Sequence, residues 1–290
     1  MSESITGLIF SDLHAYSFKP YSKQVYGINS RLLEIVEVLR EINRQSQKYD
    51  VTIFSGDLYH TFSFVDNDAL NLVSDELKMW EKPFIYVAGN HDLRSKGNYR
   101  HTDVSSAVHS SDNIKYLDQA LCEINGFKFY GLGWRDPKKF YESAFIPADV
   151  FIGHQNLSIS GFNGLEIKPE LSAQYKLMIF GDVHKSTAAG NILVPGAPLQ
   201  HNFGDAGQPR GYWTFKLTRD DGQSFLELNF HEIKFLSGRS PRQFFSVPSL
   251  NDVKDDYNYY RVTGPVGSAE AQDLKDNVVA RIETETREQR

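Results

Sequence analysis

Five short apolar runs in this 290-residue chain close on the same kinds of polar residue. LIFSDLH (8–14) ends in Asp12 and His14, IFSGDLYH (53–60) in Asp57 and His60, and VAGNHD (87–92) in Asn90, His91 and Asp92. FIGHQ (151–155) carries His154, and IFGDVH (179–184) carries Asp182 and His184. A strand-end aspartate taken alone is a turn former or a helix cap, and a lone histidine is a packing or surface residue. The joint pattern, with a glycine beside most of these endings, points instead to one shared site. Its donors are carboxylate, amide and imidazole with no thiolate, a set that suits Mn, Fe, Zn or Mg and not a closed structural zinc site. So many donors exceed the needs of one tetrahedral ion and suffice for two ions sharing a carboxylate. Two ions about 3.5–4 Å apart form the clamp used for in-line displacement at phosphorus. Such a pair activates water and offsets the charge that builds on the phosphoryl oxygens.

Residues spread over more than 170 positions meet only if the elements before them end on one edge. ITGLIF (5–10), VTIF (51–54) and FIYVA (84–88) read as strands. Between the first two, Asn29 or Ser30 can cap a helix whose Leu32, Ile35, Val36, Leu39 and Ile42 recur at helical spacing. Asp66 or Asp68 can start a second, carrying Leu72, Val73, Leu77 and Trp80. That rhythm predicts a parallel sheet covered by helices, with the loops at its strand C-termini converging. LCEI and FKFYGLG around Asn125-Gly126 predict a hairpin, and VFIG (150–153) and LMIF (177–180) further buried strands. ILVPG (192–196), GYWTFKLT (211–218) and SFLELNFHEI (224–233) read as antiparallel strands, and a second, partly antiparallel sheet is expected to pack on the first. SGRSP (237–241) reads as a linker, so residues 1–236 form a main domain and 237–290 a small α/β appendage with a terminal charged helix from about Ser268.

Composition narrows the setting. The hydrophobic content of 40% is enough for one large core, and the single cysteine, Cys122, excludes an intramolecular disulfide framework. The N-terminus lacks a secretory signal, and no run approaches the roughly 18 apolar residues of a membrane span. A cytoplasmic protein without a membrane partner is expected. The net charge of −6 argues against a broad basic face for nucleic acid. It does not exclude a nucleic-acid enzyme, because bound divalent cations reverse the local sign.

The succession DLH, GDLYH, GNHD, GH and GDVH, followed by PGAPLQHNFGD (195–205) and PRGYWTF (209–215), resembles the calcineurin-like metallophosphoesterases. Within them it is similar to the SbcD-type nucleases that process DNA double-strand breaks, including short bacteriophage versions. The resemblance covers about residues 5–235. It implies a four-layer α/β/β/α sandwich with two divalent ions, Mn foremost and Mg, Fe or Zn as alternatives. It implies Asp12, His14 and His184 on the first ion, Asp57 bridging, and Asn90, His154 and Asp182 on the second. His91 then faces the scissile phosphate as a catalytic group with Asp92 orienting it, and His60 is a further phosphate-contacting histidine. The family usually has histidine where this chain has Asp182. A carboxylate there adds negative charge and favours harder ions.

The resemblance also implies DNA as substrate, an SMC-like ATPase partner of the SbcC type and a capping domain, for which residues 237–290 are a reduced candidate. Some family members dimerise through helices of the core. The expected function is therefore a metal-dependent DNA nuclease, an exonuclease on double strands and an endonuclease on single strands. The alternative is a small-molecule phosphoesterase, and a third reading is a non-catalytic scaffold. Candidate substrate contacts are Arg94, Lys96, Arg100 and His101 after GNHD, with Lys185, His201 and Arg210 on other rim loops. Such side chains can hold phosphates without reading sequence. Tyr16, Phe18, Tyr21, Tyr26 and Tyr99 are candidates for stacking on bases or for packing.

Overall fold

A computed structural model describes residues 2–61, 66–93, 112–161, 163–254, 257–263 and 282–284. Strands are numbered in chain order. One six-stranded sheet runs β14 (Gln223–Glu232), β13 (Gly211–Asp220), β1 (Glu3–Phe10), β4 (Val51–Phe54), β5 (Phe84–Tyr86) and β6 (Ile114–Tyr116). A second runs β11 (Thr187–Ala189), β12 (Ile192–Val194), β10 (Leu177–Gly181), β9 (Val150–His154), β8 (Phe127–Leu132) and β7 (Ala120–Ile124). A two-residue-stranded hairpin, β2 (Gln24–Val25) and β3 (Ile28–Asn29), follows β1. A three-stranded parallel sheet holds β15 (Phe244–Val247), β16 (Tyr259–Val262) and β17 (Ile282–Thr284).

Side-chain alternation along the strands builds the layers. Ile5 and Ile9 of β1, Ile53 and Ile85 face Phe129, Ile152 and Ile179 of the other sheet, forming the inner core. Leu8, Phe10, Phe54 and Tyr86 point the other way. They are covered by α1 (Ser30–Ser46) and α2 (Asn67–Lys78). On the far side Tyr130, Phe151 and Phe180 pack against Phe140 of α3 (Pro137–Ser143) and Leu171 of α4 (Pro169–Ser172). The result is the expected α/β/β/α order. Asn29 caps α1 by accepting from Arg31 N (2.9 Å) and Leu32 N (3.2 Å), and Asp66 caps α2 by accepting from Ala69 N (2.7 Å). Asn125 and Gly126 both have positive φ, as the type I′ turn of the β7–β8 hairpin requires.

Two expectations about strands change. β13 and β14 do not join the second sheet. β13 pairs antiparallel with β1, Ile9 opposite Trp213, and so extends the first sheet. β12 is antiparallel to β11 but parallel to β10. Hydropathy alternation reports a half-buried strand and not its partner, so this was not legible. Within the expected terminal helix, residues 282–284 are instead a strand parallel to β16; residues 264–281 lie outside the described set. SGRSP begins in a tight turn, and the segment after it is tied to the core: Arg242 N donates to Glu34 Oε1 (2.7 Å) and Phe244 N to Gln200 Oε1 (2.7 Å). No helix among the described residues is long and apolar enough to cross a membrane.

Candidate metal centre

Strand register delivers the polar residues to one edge. Phe10 pairs with Phe54 and Phe54 with Tyr86, so Asp12, Asp57 and Asn90 leave neighbouring strand ends within a few residues of their last pairing. In the other sheet His154 pairs with Gly181, which places Asp182 beside it. The chains beyond β1 and β4 remain zipped, His14 N to Asp57 O at 3.0 Å and Ala15 N to Leu58 O at 2.9 Å. Asp12, His14, Asp57 and Asp182 all take positive φ, a conformation that costs L-residues roughly 1–2 kcal/mol each. The bends turn their side chains out of the sheet edge toward one another.

Two glycines are required by close approach. A Cβ on Gly89 would lie 2.0 Å from Asp57 Oδ1, and one on Gly181 would lie 2.2 Å from the Ser55 carbonyl oxygen and 2.5 Å from His154 Nδ1. Glycine beside the ligand-type residues therefore makes room for the neighbouring donor.

The donors converge. Ligand-type atoms of Asp12, His14 and His184 lie within 4.8 Å of one another, as do those of Asp12, Asp57 and His154. His154 Nε2 is 3.0 Å from Asn90 Oδ1, 3.4 Å from Asp57 Oδ2 and 3.7 Å from Asp182 Oδ1. Thus all seven expected ligands meet. Carbonyl and carboxylate oxygens set the imidazoles. His154 Nδ1–H donates to the Ser55 carbonyl (2.6 Å), and His184 Nδ1 faces Asp205 Oδ1 (3.4 Å). Both present Nε2 to the centre, the arrangement typical of ligating histidines. His14 Nε2 and His184 Nε2 stand 3.1 Å apart, and His14 Nδ1 is buried without a partner among the described residues. Two nitrogens so close, beside three carboxylates, fit cations held between them.

The electrostatics agree with that fit. Burial pushes the Asp12 carboxyl up to about 6, with Asp57 adding to the rise against His154 and His184. Burial alone would raise Asp57 too, but His154, His14 and His91 hold it below the usual carboxylate range. Burial lowers His14 well below its ordinary value. His154 is opposite: burial disfavours its charge, yet Asp57, Asp12 and Asp182 outweigh burial and raise it well above. The cluster draws positive charge to itself, which divalent ions supply.

His91 sits beside this centre. Its ring is 4.8 Å from His14 and 5.5 Å from His60, nearly parallel to the latter. His91 N donates to Asp57 Oδ1 (2.9 Å), and Nδ1 donates to the His60 carbonyl (2.5 Å). That bond leaves Nε2 for a substrate. Asp92, expected to orient His91, does something else. It is fully buried and accepts from Asp57 N, Leu58 N, Tyr59 N, Gly89 N and Tyr86 Oη at 2.8–3.4 Å. A carboxylate so placed satisfies the amides of the Asp57 loop and holds the bend that aims Asp57. His91 is oriented by the His60 backbone.

Of the expected substrate contacts, Arg94, Lys96, Arg100 and His101 lie outside the described residues, as does Tyr99. Lys185 is exposed beside His184. Arg210 is not a rim residue: its side chain is buried, paired with Asp205 at 3.0 Å, and donates to the His184 and Asp205 carbonyls. Its isolated position before a strand concealed that internal bond. His201 is buried, donating Nε2–H to the Asp12 carbonyl (3.1 Å), and burial lowers it to about 3, so the ring is neutral. Tyr26 is fully exposed in the β2–β3 turn. Asp205 was missed as a positioning residue. NFGD, in the motif carrying the resemblance, held the signal, but only folding shows that it meets His184 and Arg210.

A cluster of this composition, at the strand ends of a two-sheet sandwich, marks the metallophosphoesterase class of proteins. The chain belongs to the calcineurin-like phosphoesterase family, whose model matches residues 6–209. It is 32% identical over 79 residues to the 3′,5′-cyclic adenosine monophosphate phosphodiesterase CpdA of Haemophilus influenzae, covering 27% of each chain. It is 26% identical over 153 residues to Exonuclease subunit 1 of Enterobacteria phage T4, covering 49% of this chain and 44% of the relative. These matches thus span less than half the length of either relative. Among solved structures, the calcineurin-like phosphoesterase YfkN of Bacillus subtilis aligns with a TM-score of 0.47 at 12% identity, covering 79% of this chain and 91% of that one.

Proposed function

We propose that the protein is a metal-dependent phosphodiesterase acting on DNA, a nuclease that removes nucleotides from duplex ends and cuts single strands. The observation that supports this best is the paired imidazoles of His60 and His91 against the carboxylate–imidazole centre. That pair offers a proton-transfer group for an alkoxide leaving group, as phosphodiester cleavage needs. Likeness to a phage protein named an exonuclease subunit, across 49% of the chain, points the same way.

Two divalent cations, Mn foremost, would be held by Asp12, His14, Asp57, Asn90, His154, Asp182 and His184, and would supply Lewis acidity and an activated water at neutral pH. The protein's own part is positional and protonic. Asp57, aimed by the Asp92-capped loop, sets Oδ2 3.6 Å from His14 Nε2 and 3.4 Å from His154 Nε2. Ser55 and Asp205 fix the imidazole faces of His154 and His184. His91, with Nδ1–H bound to the His60 carbonyl, presents Nε2 to the leaving oxygen and, when charged, gives it a proton.

The cyclic-nucleotide relative supports a second reading, a small-molecule phosphodiesterase. Metal-stripped protein given Mn, Mg, Zn or no metal, with end-labelled linear duplex DNA, tests both. Mn-dependent shortening that falls by at least a thousandfold in Asp57→Asn is the expected result. His91→Ala should lose about 10²–10⁴-fold in kcat while still binding Mn. Intact DNA beside turnover of a cyclic nucleotide would select the second reading.

A further inference from the structure

Next to the centre the surface opens into a cleft of about 620 Å³, within the range of small-ligand pockets. Its two ends differ in chemistry. His14, His91 and His184 line one end, where a phosphate would meet the metal donors. Phe18, Tyr21 and Phe203 line the other.

These aromatic rings are fixed before any ligand arrives. The Phe18 ring is 4.9 Å from His60, with the Arg31 guanidinium 4.5 Å from its centroid. Phe203 stands edge-on to Phe244 of β15 at 4.9 Å and to Tyr21 at 5.6 Å, and the Arg261 guanidinium of β16 lies 4.3 Å from its centroid. Phe18 and Phe203 are nevertheless only half-buried, so part of each ring remains open to the cleft.

A ligand matching both ends carries an anion at one end and a flat, polarisable ring at the other. We propose that this cleft is a nucleoside pocket, in which the base next to the scissile phosphate stacks on Phe18 and Phe203. The third sheet, through Phe244 and Arg261, builds one wall of it. The proposal deepens the phosphodiesterase reading and rests on it for the place of the phosphate. It accommodates a nucleic-acid end and a cyclic nucleotide alike.

Calorimetric titration of the Mn-loaded protein with 2′-deoxyadenosine 5′-monophosphate and with 2-deoxyribose 5-phosphate tests it, because the two differ only in the base. The nucleotide should bind about tenfold tighter or better, within the range for one base on an aromatic face. Phe203→Leu and Phe18→Leu keep apolar volume and remove a ring. Each should weaken nucleotide binding severalfold and leave sugar-phosphate binding unchanged, with an unaltered circular dichroism spectrum. Equal affinity for the two ligands, no measurable nucleotide binding, or full nucleotide affinity in both variants would overturn the pocket. Digestion of duplex DNA by the same preparation is read separately. Intact DNA with the base preference retained removes the nuclease reading alone, and digested DNA without base preference removes the pocket alone.

Discussion

At the scale of residues, Asp92 shows how a motif position and its task can separate. In GNHD it follows His91 directly, which suggests a partnership. The fold instead gives its carboxylate five donors, four of them backbone amides of the loops that carry Asp57 and Asn90. Removing the acceptor leaves buried amides unsatisfied, each costing about 1–3 kcal/mol. Asp92→Ala is therefore expected to lower unfolding free energy by about 3 kcal/mol or more, measured by urea titration, and to weaken Mn binding through loss of the Asp57 bend. His91→Ala should move stability by less than about 1 kcal/mol, since its ring is part-exposed beside the cleft. Comparing the two variants separates holding the site from acting in it.

At the scale of elements, the site depends on strands that end in step. Parallel pairing of β1, β4 and β5, and of β9 with β10, brings five strand ends to one edge, and glycines let the loops touch. Gly181 is one of them, because a Cβ there meets a carbonyl and an imidazole that are themselves fixed. Gly181→Ala should displace His154 from the Ser55 carbonyl. A loss of roughly 100-fold in phosphodiester cleavage is expected, the scale of a 1 Å misplacement. Overpacking should also remove about 1–3 kcal/mol of stability. Calorimetric Mn affinity and a thermal melt of the same variant measure both effects, and wild-type values in either would contradict the contact.

At the scale of the whole molecule, two sheets meet only if the carboxylates they bring can be tolerated together. Asp12, Asp57 and Asp182 come from three strands in two sheets, and their imidazole neighbours outweigh burial at Asp57 but not at Asp12 or Asp182. Cations bound by the folded state and not by the unfolded chain stabilise it by mass action, about 2.7 kcal/mol at a hundred times Kd. Adding Mn to metal-stripped protein should therefore raise the melting midpoint by about 5 °C or more. The rise should vanish in Asp57→Asn, and the same midpoint with and without Mn would count against the centre. The third sheet belongs to this scale as well, since Arg242 and Phe244 bind it to Glu34 and Gln200 of the sandwich while Phe244 and Arg261 reach the cleft.

The strands and helices that carry the site were legible because buried strands and amphipathic helices have their own hydropathy periods, and because Asn29, Asp66 and Asn125-Gly126 are local signals. The ligand-type residues were legible because metal chemistry restricts donors to a few side chains and the sheet places them at strand ends. What the tertiary structure alone decided is partnership. It joined β13 to β1, turned Asp92 toward backbone amides, buried Arg210 against Asp205, and set Asp205 behind His184. None of these is written in spacing, because hydrogen bonds and ion pairs between distant segments depend on register and loop direction, which only the packed sandwich fixes.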